Sequence, residues 1–206
     1  MKNNLQGKFI VLDGPDGCGK STQTNLLTDW ITAQRIEVVN FRDPGTTVIG
    51  EAIRHILLDP ANEAMDTPTE LLLYMAARAQ LWTERILPAL NQQKCILLDR
   101  WLSSTCAYQG YAGGIGIEKV IDLAQHCLDR LWPDITIILD VDLKASTARL
   151  RETPDRMEQK GDDYHQKVRD GFLKLAGMND KIEVVDATAD IKTVHNNIVE
   201  IIKNCL

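Results

Sequence analysis

Lys8-Phe9-Ile10-Val11-Leu12-Asp13-Gly14-Pro15-Asp16-Gly17-Cys18-Gly19-Lys20-Ser21 is the stretch from which the fold follows. Its first six residues make a short apolar run of the kind that forms a strand buried on both faces. Residues 14–21 fit the pattern Gly, four free positions, Gly-Lys and Ser or Thr, and helical spacing of Leu26, Leu27, Trp30 and Ile31 follows at once. A glycine loop between a strand and a helix is the context in which this pattern binds phosphate. Without a Cβ, Gly14, Gly17 and Gly19 let the backbone fold tightly and aim several N–H groups at one anion, to which the helix N-terminus adds more donors. Lys20 is expected to reach the β- and γ-phosphates of ATP, and the Ser21 hydroxyl to take a place on Mg²⁺. Gly14, Pro15, Asp16, Gly17, Cys18, Gly19, Lys20, Ser21 and Thr22 together form the nucleotide cradle. Two readings of Cys18 stand: a thiol of lowered pKa at a helix N-terminus, or a small residue that the loop tolerates.

Outward from this loop the same alternation repeats. Ile36–Phe41, Cys95–Asp99, Ile135–Val141 and Ile182–Asp186 read as further strands. Between them, helical patterns cover Ile49–Leu58, a long stretch from Thr67 toward Asn91 disturbed at Pro88, residues 101–109, Ile117–Leu128, Gln166–Leu175 and Ile191–Ile202. Thr67-Pro68-Thr69-Glu70 reads as an N-cap, a first-turn Pro and a capping Glu. Gly110, Gly113, Gly114 and Gly116 suggest a flexible connection. Five strands alternating with helices predict an α/β fold, a mostly parallel sheet with helices on both faces.

Size and charge limit what such a chain does. A length of 206 residues suits a single domain spanning 1–206, and no linker, repeat or low-complexity tract divides it. The formal net charge of −6 argues against a general binder of nucleic acid or of membrane surfaces. Met1–Gln6 has no signal-like apolar core and no run approaches membrane-spanning length, so a cytoplasmic protein is expected. Five scattered cysteines without any Cys-x-x-Cys pair fit a reducing compartment and no zinc site.

Three further groups of residues carry candidate chemistry. Asp99 ends a strand beside the phosphate loop, where a carboxylate faces the Mg²⁺ region, and Arg100 follows it. Tyr74 and Arg78, four apart, share a helix face, either as part of a site or as core residue and structural charge. Arg149, Arg151 and Arg156 surround Pro154 in a polar segment, either an anion-binding lid at about 149–163 or a solvated charged face.

Taken together, these motifs resemble those of the thymidylate kinases, of the bacterial type, along essentially the whole chain. The resemblance rests on Gly-Pro-Asp-Gly-Cys-Gly-Lys-Ser-Thr at 14–22, Phe-Arg-Asp-Pro-Gly at 41–45, Tyr-Met-Ala-Ala-Arg-Ala-Gln at 74–80, Asp-Arg-Trp at 99–101, Ser-Thr-Cys-Ala-Tyr-Gln-Gly at 104–110 and Asp-Arg-Met-Glu-Gln at 155–159. It implies a P-loop fold, ATP- and Mg²⁺-dependent phosphorylation of dTMP to dTDP, and a homodimer. It implies that Asp16 holds the acceptor 3′-hydroxyl, Tyr74 stacks on the base, and Arg78 and Thr105 meet the base edge. Tyr108 would crowd the 2′ position, Arg100, with Arg42 beside Phe41, would hold the acceptor phosphate, and Arg151 and Arg156 would meet the transferring phosphoryl group. Trp101, Thr46 and Asp43 depart from the family pattern, where Tyr or His, a second Gly, and Glu are usual. The alternatives are a kinase for another nucleoside monophosphate and a nucleotide-binding regulator without turnover.

Overall fold

The computed structural model describes residues 5–142 and 154–206. The described strands are β1 (Phe9–Asp13), β2 (Val38–Arg42), β3 (Cys95–Asp99), β4 (Ile135–Asp140) and β5 (Ile182–Asp186). They form one sheet in the order β2-β3-β1-β4-β5, and every pairing is parallel. The mostly parallel sheet read from the sequence is thus wholly parallel among the described residues, as apolar strands linked by helices require.

Alternation along the strands sorts the core into two layers. Phe9, Val11, Ile96 and Leu98 face a cluster built with α3 (Thr67–Leu81), α6 (Ile117–Cys127) and α7 (Asp162–Ala176). Ile10, Leu12, Leu97, Ile135, Ile137 and Leu139 face the other cluster, with α1 (Lys20–Thr32) and α8 (Ile191–Cys205). Trp101, wholly buried, closes the first layer: its ring meets Phe9 edge-on at 5.5 Å and its indole N–H donates to Leu131 O at 2.7 Å. Contact with Phe9 and with the Arg78 guanidinium 5.2 Å from the ring centre accounts for a Trp at this position.

Several boundaries differ from the sequence reading, each for a local reason. The N-cap of α3 is Asp66, whose side chain accepts from Thr69 N, so Thr67 and Pro68 are the first helical residues. Glu70 is therefore no capping partner; it turns inward and is fully buried. The long helix is broken by a π-helical turn at Trp82–Ile86 immediately before α4 (Leu87–Asn91), which carries Pro88. A widened turn accommodates a ring that cannot donate to the carbonyl four residues back. Residues 101–109 are not one α-helix: α5 (Leu102–Thr105) passes into a π-helical segment, Cys106–Ala112, and Gly110 is buried within it. A Cβ at Gly110 would stand 3.3 Å from Ile117 Cα, so this glycine serves close packing. The helix read as Gln166–Leu175 begins earlier, at Asp162.

The carboxyl ends of β1, β2 and β3 lie side by side, which is where parallel sheets bind ligands. Gly14 leaves β1 with φ +133°, and a Cβ there would fall 2.6 Å from Leu139 O on β4. Gly14→Ala should therefore lower unfolding stability by about 2 kcal/mol or more, read from the urea midpoint; an unchanged midpoint would contradict this role for the glycine.

Candidate active site

Six of the sequence-predicted acceptor residues, Asp16, Tyr74, Arg78, Arg100, Thr105 and Tyr108, line a single cavity. A second, more open cleft runs along the phosphate loop and is lined by Gly17, Gly19, Lys20, Ser21, Thr22, Arg42 and Asp99. Asp16, Arg54 and Arg100 line both. Phe41 lines neither and packs on the core from β2, while Arg42 faces only the phosphate cleft.

Backbone geometry sets the loop. Gly14, Gly17 and Gly19 all have positive φ, and space is open where a Cβ on Gly19 would stand. Lys20 is buried and folds back, donating to Gly14 O at 3.1 Å and Pro15 O at 2.9 Å. Cys18 belongs to the core cluster beneath the loop. Burial pushes its thiol above the ordinary value despite the nearby Lys20 charge, so the reading of Cys18 as a lowered-pKa thiol is corrected.

Arg100 is the centre of the junction. It adopts φ 67° after β3 and donates to Gly14 O, Ser104 Oγ and the Asp16 carboxylate. Its charge also lies 3.6 Å from buried Asp13 and 5.5 Å from the Tyr108 ring centre. Burial alone would lower its pKa; Asp16, Tyr108 and Asp13 more than offset this and hold it well above the ordinary value. Asp16 also accepts from Tyr108 Oη at 2.9 Å. Burial opposes its charge, but Arg100, Lys20 and Tyr108 together bring its pKa from 3.8 down to about 2.

Arg78 is 1% exposed and heavily committed. It donates to Asp43 at 2.6 Å, Trp101 O at 3.1 Å and Thr105 Oγ1 at 2.9 Å. Burial pushes the Asp43 carboxyl up against the opposing pull of Arg78. Thr46 takes φ 69°, a left-handed conformation unusual for a β-branched residue. Its hydroxyl accepts from Arg42 N at 2.9 Å and its own N–H donates to Glu51 at 2.6 Å, which holds the turn without a second glycine.

Arg156 requires a correction. It lines neither cavity; its guanidinium donates to Leu57 O at 2.7 Å and to buried Glu70 at 2.6 Å. A cation held in a buried ion pair of this kind is a structural clamp, not one free to follow a transferring phosphoryl group. Arg149 and Arg151 lie outside the described residues.

Sequence reasoning passed over Arg54, Gln109, Asp13 and Glu70. Arg54 borders both cavities from α2 (Val48–Leu58), and among the described residues no carboxylate comes within ion-pairing distance of it. It donates to Pro44 O at 3.3 Å, and burial, then repulsion from Arg42, lowers its pKa. Its i,i+4 spacing to Leu58, which also lines the cavity, was the available signal.

Asp99 Oδ1 is buried without a hydrogen-bond partner, and Ser21 lines the same cleft. This oxygen-only pair fits a hard divalent cation held mainly by phosphates and water. Among the described residues no cluster of three or more His, Cys, Asp or Glu could hold a metal by itself.

The family model described as thymidylate kinase matches residues 12–198. A thymidylate kinase of Thermoanaerobacter sp. (strain X514) is 41% identical over 204 residues, covering 98% of this chain and 100% of the relative. One from Exiguobacterium sibiricum is 42% identical over 197 residues, covering 94% and 93%. The crystal structure of a thymidylate kinase from Ehrlichia chaffeensis superposes with a TM-score of 0.76 at 32% identity, covering 94% of this chain and 97% of that one.

Asp16 yields a prediction for pH. Its folded-state pKa is depressed, so the stability it contributes is complete above the unfolded value near 4 and is lost as pH falls through about 2. Asp16→Asn should cost about 2 kcal/mol at neutral pH, and the gap to the unsubstituted protein should close between about pH 4 and pH 2 in chemical denaturation. A gap independent of pH would contradict the assigned charge.

Proposed function

This chain belongs to the thymidylate kinase family, and from that membership we propose that it transfers the γ-phosphoryl group of ATP to dTMP, giving dTDP and ADP. It is a phosphotransferase. The observation that carries the residue assignment is that Asp16 and Arg100 border both cavities, so a monophosphate in one meets a triphosphate in the other at a shared wall.

ATP phosphates lie in the cleft along Gly14–Thr22, with Lys20 released from the Gly14 and Pro15 carbonyls to the β- and γ-oxygens. Ser21 and Asp99 hold Mg²⁺, supported by the orphaned Asp99 oxygen. Bound there, the ion neutralises charge on the phosphate chain. In the acceptor cavity, Tyr74 stacks on thymine, Arg78 and Thr105 meet its edge, and Asp16 and Tyr108 meet the sugar. Arg100 and Arg54 take the acceptor phosphate, with Arg42 on the donor side. Two polyanions approach each other in line, and these cations lower the repulsion between them. With Arg156 held by Glu70, the role of meeting the transferring phosphoryl group falls to Arg151.

We infer a homodimer as well. Val48, Ile49 and Ile56 on α2 and Leu72 on α3 are exposed apolar side chains on two helices packed together, which supports a buried face. A cytoplasmic location is supported by five unpaired cysteines, and no helix among the described residues is long and apolar enough to cross a membrane. The net charge of −6 speaks for small-molecule substrates over nucleic acid or membrane partners.

Lys20→Ala and Arg100→Ala should each lower kcat for dTMP phosphorylation by about 10³-fold or more while the circular dichroism spectrum is retained. ADP release coupled to a redox readout measures this; a folded variant with normal turnover would sink the role given to that residue.

A further inference from the structure

Glu70 is a buried carboxylate near the acceptor cavity that the mechanism leaves unused. It is fully buried on α3, yet no part of it lines the cavity. One oxygen, Oε1, accepts from Arg156 Nη1 at 2.6 Å and from Lys160 Nζ at 2.7 Å. The other, Oε2, accepts from Gln109 Nε2 at 3.0 Å. Both cations come from the segment after residue 153, and Gln109 comes from the π-helical segment Cys106–Ala112.

The chemistry of this contact fixes a direction. An ionised carboxylate only accepts, so Gln109 must turn its NH₂ group toward Glu70. Its carbonyl oxygen is then left toward the cavity that Gln109 lines beside Arg78 and Thr105. Among the described residues no donor reaches that oxygen. We propose that Glu70 is a positioning residue that sets the polarity of the Gln109 amide, so that the cavity presents a hydrogen-bond acceptor to the base and selects pyrimidines that carry an N3–H. Thymine offers that N–H, whereas cytosine offers a lone pair at the same atom. Because Arg156 and Lys160 share the carboxylate, the same group ties the seat of residues 154–160 to base choice. This inference rests on reading the cavity as the dTMP site.

The test is the ratio of kcat/KM for dTMP to that for dCMP. In Glu70→Gln the new side chain keeps its carbonyl toward Arg156 and Lys160 and turns its NH₂ to Gln109, whose amide must then reverse. The ratio should fall about tenfold or more, while Glu70→Asp, still acceptor-only, should retain selectivity. A Glu70→Gln protein in which both substrates lose equally, leaving the ratio unchanged, would overturn the proposal, since loss of packing alone acts on both. Should Glu70→Gln not fold, Gln109→Met gives a second reading. Removing the carbonyl should cost dTMP alone, and equal loss for both nucleotides would again overturn it. Failure of the underlying reading looks different, because the unsubstituted protein would then turn over neither nucleotide.

Discussion

The buried carboxylate of Asp13 is the constraint on which the site depends. It ends β1 out of solvent and accepts from Gly14 N at 2.9 Å, from Trp101 N at 3.4 Å and from the Ser103 and Ser104 hydroxyls. A charge in that position is tolerable only because several donors converge on it. Those donors come from the first residue of the phosphate loop and from the turn and helix α5 that follow β3. One side chain thereby fixes the distance between the donor cradle and Arg100, and with it the geometry in which two phosphate groups meet.

From that anchor the charges alternate outward. Asp13 faces Arg100, Arg100 faces Asp16, and Asp16 takes the Tyr108 hydroxyl, so each residue is held by the one before it. Preorganisation of this kind means that little reordering is needed when substrates arrive. A second chain, Asp43 to Arg78 to Thr105, holds the far wall of the acceptor cavity in the same manner. The two are joined through Trp101, whose carbonyl accepts from Arg78 and whose ring lies 5.2 Å beneath that guanidinium.

The sheet, its parallel sense and the loop at 14–21 were legible because apolar periodicity and glycine spacing are local signals. So was the gathering of Tyr74, Arg78, Thr105 and Tyr108, through motifs that carry a family resemblance. What escaped was set by partners distant in sequence. Arg156 looked like a free lid cation until Glu70, 86 positions away, proved to hold it, and Glu70 itself resembled an ordinary capping residue. Cys18 had two readings, and its burial in the core cluster with residues of β4 and α1 favours the small residue that the loop tolerates. Asp13 read as the end of an apolar strand, and only the turn after Asp99 discloses its function.

The central claim is that Arg100 and Asp16 form the wall at which acceptor and donor phosphates meet. A crystal structure of the chain with dTMP and a non-hydrolysable ATP analogue tests it most directly. The account predicts the dTMP phosphate against Arg100, with an oxygen about 3–3.5 Å from the γ-phosphorus and in line with the bond to be broken. A dTMP phosphate bound away from Arg100, or a γ-phosphate out of reach of Lys20, would contradict it.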